Sequence, residues 1–137
     1  MTPSIEGMLV VGSVVMGVAD VARATAFWTA ALGYRARQPG DDTFVILVPQ
    51  SGAGPQVALD LSATPVQSHP RVHLDLYAEN QKAEVERLVS LGAGAVDWDG
   101  YGPDSDFVVL EDTEGNRFCV IDAAGHMDAW TTTRTAT

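Results

Sequence analysis

Apolar and polar positions along the chain change period in a fixed order, and the order occurs twice. Leu9 to Val18 is an apolar, valine-rich run that predicts a strand, and Asp20 follows where a helix N-cap belongs. Val21, Ala24, Phe27, Trp28, Ala31 and Leu32 then recur at spacings of three and four, one face of a helix that Gly33 ends. Pro39 to Asp42 reads as a turn, Thr43 to Val48 as a strand buried on both faces, and Val57 to Leu61 as the closing strand. About sixty residues on, the order returns. Arg71 to Tyr77 alternates with period two, placing His73, Asp75 and Tyr77 on one face and Val72, Leu74 and Leu76 on the other. Asn80 caps a second helix with Val85, Leu88, Val89 and Leu91 inward and Gly92 at its end. Short strands around Val96 and at Phe107 to Leu110 follow, and Asp112-Thr-Glu-Gly-Asn turns into Arg117 to Asp122.

The repeat predicts an α+β fold of two tandem βαβββ modules related by a pseudo-twofold axis, with a cleft between their curled sheets. Residues 8–123 form a single domain, with modules at 8–62 and 71–123 joined by the proline-bearing stretch from Ser62 to Pro70. Residues 1–7 and 124–137 are expected to be peripheral, and neither should carry chemistry.

Composition narrows the function. A hydrophobic fraction of 46% over 137 residues supports one compact core without staples. The one cysteine, Cys119, lies inside an apolar strand, which fits a reducing, cytoplasmic setting. The apolar stretch from Met8 to Val18 has no basic residue before it and is too short to span a bilayer, so neither a signal peptide nor an anchor is expected. Eight basic against eighteen acidic residues give a formal charge of −10, which argues against nucleic acid and anionic membrane as partners. The acid either keeps the protein soluble or attracts a cationic small molecule.

Candidate chemistry falls on few residues. His73 is either a general base or hydrogen-bond donor, or a histidine satisfied by a neighbouring group. Cys119 reads as a small buried hydrophobe unless a base such as His73 activates it. The segment from Asp97 to Asp106 packs acids, glycines, Trp98 and Tyr101 together. It is either a loop closing over a flat or cationic guest or a solvated hairpin with Trp98 folded inward. Phe27 and Trp28 belong to the core, His69 reads as a surface residue, and His126 has no recognisable context.

Two runs carry a family resemblance: VADVARATAFWTAALGY from Val18 to Tyr34, and EDTEGNRFCV from Glu111 to Val120. With the repeat, they resemble the vicinal oxygen chelate superfamily, which includes glyoxalase I, extradiol dioxygenases, fosfomycin-modifying enzymes and bleomycin-binding proteins. His-Leu-Asp-Leu at residues 73–76 and Gly-Asn-Arg-Phe-Cys at residues 115–119 are most similar to its glyoxalase-like domain branch. In metal-using relatives one ligand comes from the first and one from the last strand of each module. Carried over, the pattern implies Ser13, Asp60, His73 and Cys119. Only His73 has the expected His/Glu character, and a neutral serine hydroxyl is a poor ligand for a hard ion. The expectation is therefore no cofactor, with a divalent metal disfavoured.

The resemblance implies a small-molecule ligand in the cleft, held among Ser13, Asp60, His73, Asp75, Trp98, Tyr101 and Cys119, and sequestered as resistance proteins of the superfamily do. Its alternative is a lyase or isomerase acting on an oxygenated substrate, with His73 as the catalytic base or metal ligand and Asp60 as its acidic partner. The resemblance also allows a homodimer, through apolar residues left exposed on the first helix.

Overall fold

A computed structural model of the protein describes residues 6–126. Its elements follow the repeat: β1 (Ser13–Val18), α1 (Val21–Leu32), β2 (Tyr34–Ala36), β3 (Phe44–Pro49) and β4 (Gln56–Leu61) make the first module. The second holds β5 (Asp75–Ala78), α2 (Gln81–Leu91), β6 (Gly94–Ala95), β7 (Phe107–Glu111) and β8 (Arg117–Asp122), closed by a 3-10 turn, Ala123–His126. Each module forms a four-stranded mixed sheet, ordered β1-β4-β3-β2 and β5-β8-β7-β6. In both, the first strand pairs parallel with the last while the other pairs are antiparallel. One connectivity is thus used twice, as the sequence repeat requires. Residues 1–5 and 127–137 of the expected peripheral termini lie outside the described residues.

The caps fall where local chemistry puts them. The Asp20 carboxylate accepts from the Arg23 amide, and Gly33 ends α1 at φ 68°, a left-handed conformation that suits glycine. Asn80 accepts from the Ala83 amide at the start of α2. The core is shared between modules: Phe27 and Trp28 of α1 and Phe118 of β8 are all buried, with Trp28 edge-on to Phe27 at 5.0 Å and to Phe118 at 5.2 Å.

Several boundaries differ from expectation. Residues 8–12 are not in a strand, and Leu9 is 100% exposed. The β1 ladder starts only at Ser13, opposite Gln56, because the chain facing the earlier residues turns through Ser51 to Pro55 and a proline offers no amide. β5 likewise starts at Asp75, and Val72, expected inside, is 82% exposed. β3 is buried on one face only: Val45 and Leu47 are in the core, whereas Phe44 is exposed and Ile46 half-buried. Val89 lies exposed on α2 while Leu88 takes the core position. The exposed apolar residues of α1 are alanines, so that helix presents no large apolar surface to a second copy.

Candidate functional site

Both helices pack on one face of their sheets, leaving the other face of each sheet open. On the open face of the second sheet, the parallel β5–β8 register sets Asp75 opposite Cys119, and His73, two residues earlier in extended chain, projects beside them. His73 Nε2 lies 3.0 Å from Asp75 Oδ1, both side chains about half exposed. One ligand atom from each of His73, Asp75 and Cys119 falls within 4.8 Å of the others. Burial, and then the neighbouring Asp75 carboxylate, pushes the Cys119 thiol up to about 11. It is therefore no nucleophile at neutral pH in this setting.

A cavity of about 440 Å³ opens between β1 and the start of β5. Val15, Met16, Val66, Leu74 and Phe118 give it apolar walls, and His73 and Arg117 are polar groups on its margin. A second, wider groove of about 1080 Å³ runs between the C-terminal end of α1, the N-terminal cap and first two turns of α2, and β5.

The expected site residues separate into groups. His73, Asp75 and Cys119 come together. Ser13 and Asp60 do not: Ser13 stands opposite Gln56, whereas Asp60 stands opposite Gly17, four residues further along β1, or about 13 Å at strand rise. Neither borders the 440 Å³ cavity. Ser13 Oγ is buried and, among the described residues, has no hydrogen-bond partner. The first-module residues therefore do not fit the superfamily's ligand pattern. The first module supplies a lone hydroxyl and a carboxylate on separate levels of its sheet, not a pair of donors for a hard ion.

The aromatic loop is folded down on the chain. Tyr101 packs against Phe107 at 5.2 Å with the rings tilted by 38°, and its hydroxyl oxygen accepts from the Val109 amide. Trp98 has the His69 ring at 4.8 Å and the Arg117 guanidinium 6.0 Å from its own centroid, while His69 Nε2 lies 3.5 Å from Asp99. The chain thus places its own cation near the indole. His126, without context in the sequence, stacks on Tyr77 at 5.2 Å and meets Asp106 at 2.9 Å. Twenty residues separate that pair, so no local spacing announces it.

Sequence reasoning also missed the reach of the β7–β8 turn. Asp112 accepts from Trp28 Nε1 at 3.0 Å and from the Glu114 and Asn116 amides. Asn116 donates to the Gly17 carbonyl, and Glu114 accepts from the Ala19 and Asp20 amides and from Arg23. These residues hold the cavity-lining end of β1 against β8. The carboxylate, glutamate and amide of the turn were legible as a hairpin; their partners in the other module were not.

The comparisons agree with this architecture. The family model described as "Glyoxalase-like domain" matches residues 13–121. A glyoxalase-related enzyme from Fulvimarina pelagi is 15% identical over 84% of this chain and 88% of its own, with a TM-score of 0.63. A possible glyoxalase from Bacillus cereus is 16% identical over 82% of this chain and 98% of its own, with a TM-score of 0.62. TnmS3, an antibiotic binding protein from Streptomyces sp. CB03234, is 21% identical over 84% of this chain and 96% of its own, with a TM-score of 0.58. No curated protein matches the chain. At these identities the structural likenesses establish the fold alone.

Proposed function

The chain belongs to the glyoxalase-like domain family, and from that membership we propose that it binds a small organic molecule in the cleft between its modules and sequesters it without turnover. The observation that carries this reading is the 440 Å³ cavity, whose mainly apolar lining with polar groups among it suits a compact organic guest. The likeness to an antibiotic-binding fold supports the same class. An aromatic guest is favoured over a cationic one, because Arg117 and His73 border the cavity, the bordering carboxylate of Glu114 is already paired with Arg23, and Arg117 stands near Trp98. The binding needs no ion, and the single cysteine suits a cytoplasmic setting. A homodimer, in this reading, uses Phe44 on the open face of the first sheet.

The test is a thermal-shift and fluorescence-quench screen of aromatic compounds against the wild-type chain and Val15→Trp, which fills the cavity from β1. The expected result is saturable binding to the wild type that Val15→Trp abolishes while its own melting temperature is kept. Binding that Val15→Trp leaves intact would place the guest elsewhere and overturn the reading.

One observation favours a second reading, a lyase or isomerase: the imidazole of His73 beside the carboxylate of Asp75 is the arrangement that orients a general base. Turnover of an oxygenated substrate that His73→Ala abolishes, with the fold retained, would establish it.

A further inference from the structure

We propose that the groove framed by the last turn of α1, by β5 and by the first two turns of α2 is a second binding site, one that takes a lipophilic amine as its ammonium cation. It is distinct from the cavity of the binding function above: of the residues lining the two, only Val14 and Leu74 are common to both. At about 1080 Å³ it stands at the upper end of the size range of small-molecule sites, roughly 300–1,000 Å³. The proposal goes beyond that binding function and does not rest on it.

Topology leaves the groove uncovered. β1 and β5 each end their sheet, so among the described residues no further strand pairs with their outer edges. Val14 of β1, Leu32 of α1, and Leu74 and Leu76 in and beside β5 are half-buried side chains that give the groove an apolar floor. An apolar guest releases the water held against such a floor.

Charge sets the chemical class of the occupant. Three carboxylates, Asp75, Glu79 and Glu84, line the groove against one guanidinium, that of Arg87. Arg87 is already engaged: its Nε donates to Glu84 at 2.7 Å, and its two terminal nitrogens donate to the Ala30 and Ala31 carbonyls. One positive charge thus answers both Glu84 and the negative end of α1, whose last turn has no basic residue of its own. The opposing positive end of α2 is capped by the Asn80 side chain. Asp75 has the His73 imidazole at 3.0 Å, and the exposed Glu79 carboxylate meets no partner among the described residues. An apolar body on the floor therefore brings an attached ammonium to Glu79 and Asp75 at the rim. The cleft cavity, with His73 and Arg117 on its border, has the opposite preference.

Dansylcadaverine tests the proposal. It joins a naphthalene fluorophore, whose emission shifts to the blue on leaving water, to a primary ammonium by an alkyl chain, and its N-acetyl derivative keeps the body without the charge. The expected result with the full-length protein is saturable, blue-shifted binding of one equivalent, at least about tenfold tighter for the amine than for the N-acetyl derivative. Glu79→Lys and Leu32→Lys, which place a cation on either wall, should each weaken binding at least about tenfold. Asp42→Lys changes the net charge as much as Glu79→Lys but lies outside the groove, and it should leave affinity within about twofold. Val15→Trp, which fills the cleft cavity, should leave it unchanged, with circular dichroism and thermal melts checking the fold of every variant. No saturable binding, equal affinity for the N-acetyl derivative, indifference to both Glu79→Lys and Leu32→Lys, or an equal loss in Asp42→Lys would overturn the proposal. So would loss of binding in Val15→Trp, which would put the amine in the cleft cavity, or binding that falls as protein concentration rises, which would put a second copy in the groove. Because Val15→Trp blocks the cavity and spares the groove, failure of the cleft reading and failure of this site give different results.

Discussion

Glu114 shows how much one side chain can decide. Its carboxylate is almost wholly buried, with a side-chain exposure of 1%, yet it accepts from the Ala19 and Asp20 amides, from Arg23 Nε at 2.8 Å and from the Thr113 hydroxyl. The Arg23 hydrogen bond, against the opposing cost of burial, holds it down to about 2 from an ordinary 4.5. A carboxylate whose pKa is lower folded than unfolded adds stability that is complete above the unfolded value and lost as pH falls through the folded one. Because Arg23 is half exposed, solvent screening reduces the full linkage value, to roughly 2 kcal/mol. Glu114→Gln should therefore lower the unfolding free energy by roughly 2 kcal/mol at pH 7. In urea titrations across pH the two proteins should converge between pH 4.5 and about 2; a gap that stays constant would show that the charge is not what matters. Neighbouring Asp112 is pushed the opposite way, chiefly by burial, although Trp28 and two backbone amides hydrogen-bond to it. At this scale the candidate site was half legible. His73 and Asp75 could be assigned to one face from alternation alone, whereas the cross-strand meeting with Cys119 needed the β5–β8 register, which no local pattern encodes.

Helix α1 is held at both ends by the other module. Glu114 meets the amides before its first turn, and Arg87 of α2 donates to the Ala30 and Ala31 carbonyls at 3.1 and 2.9 Å in its last turn. An acid at the N-terminus and a base at the C-terminus both complement the helix dipole, although α1 itself has no basic residue in its last turn. Arg87→Met should cost about 1–2 kcal/mol by chemical denaturation, with Arg87→Lys recovering only part, because an ammonium cannot make the forked contact. On α2 the exposed Val89 and the buried Leu88 make a contrasting pair. Val89→Ala should be neutral or stabilising by up to about 0.5 kcal/mol through helix propensity. Leu88→Ala should cost about 2–5 kcal/mol through the cavity it leaves; equal effects would contradict the assignment of the core face. The helices were legible because their caps and stripes are local signals. The strand starts were not: the valines of residues 8–12 and Val72 carry strand propensity, but a ladder begins only where a partner with free amides begins.

The two modules repeat one topology without sharing a ladder, since the structure has two separate four-stranded sheets. What joins them is the aromatic cluster of Phe27, Trp28 and Phe118, the Asp112–Asn116 turn and Arg87. Trp28 is 1% exposed, but Phe118 and Asp112, which cover its ring and bond its indole nitrogen, lie more than eighty residues away in sequence. Its burial is thus a property of the whole molecule. The repeat made the architecture legible from sequence, whereas the seam between the modules, and with it the cavity beside β1, depended on contacts that span the chain. A fragment of residues 1–70 keeps every local signal of the first module, Phe27 and Trp28 as its sole tryptophan, while losing Phe118 and Asp112 from around that ring. It should show red-shifted tryptophan emission and a gradual response to guanidinium, where the full chain unfolds in one cooperative step. Blue-shifted emission and a sigmoidal transition in the fragment would mean that each module carries its own core. The cleft would then be a docking seam between independently stable units, and ligand affinity would depend on how tightly that seam is held.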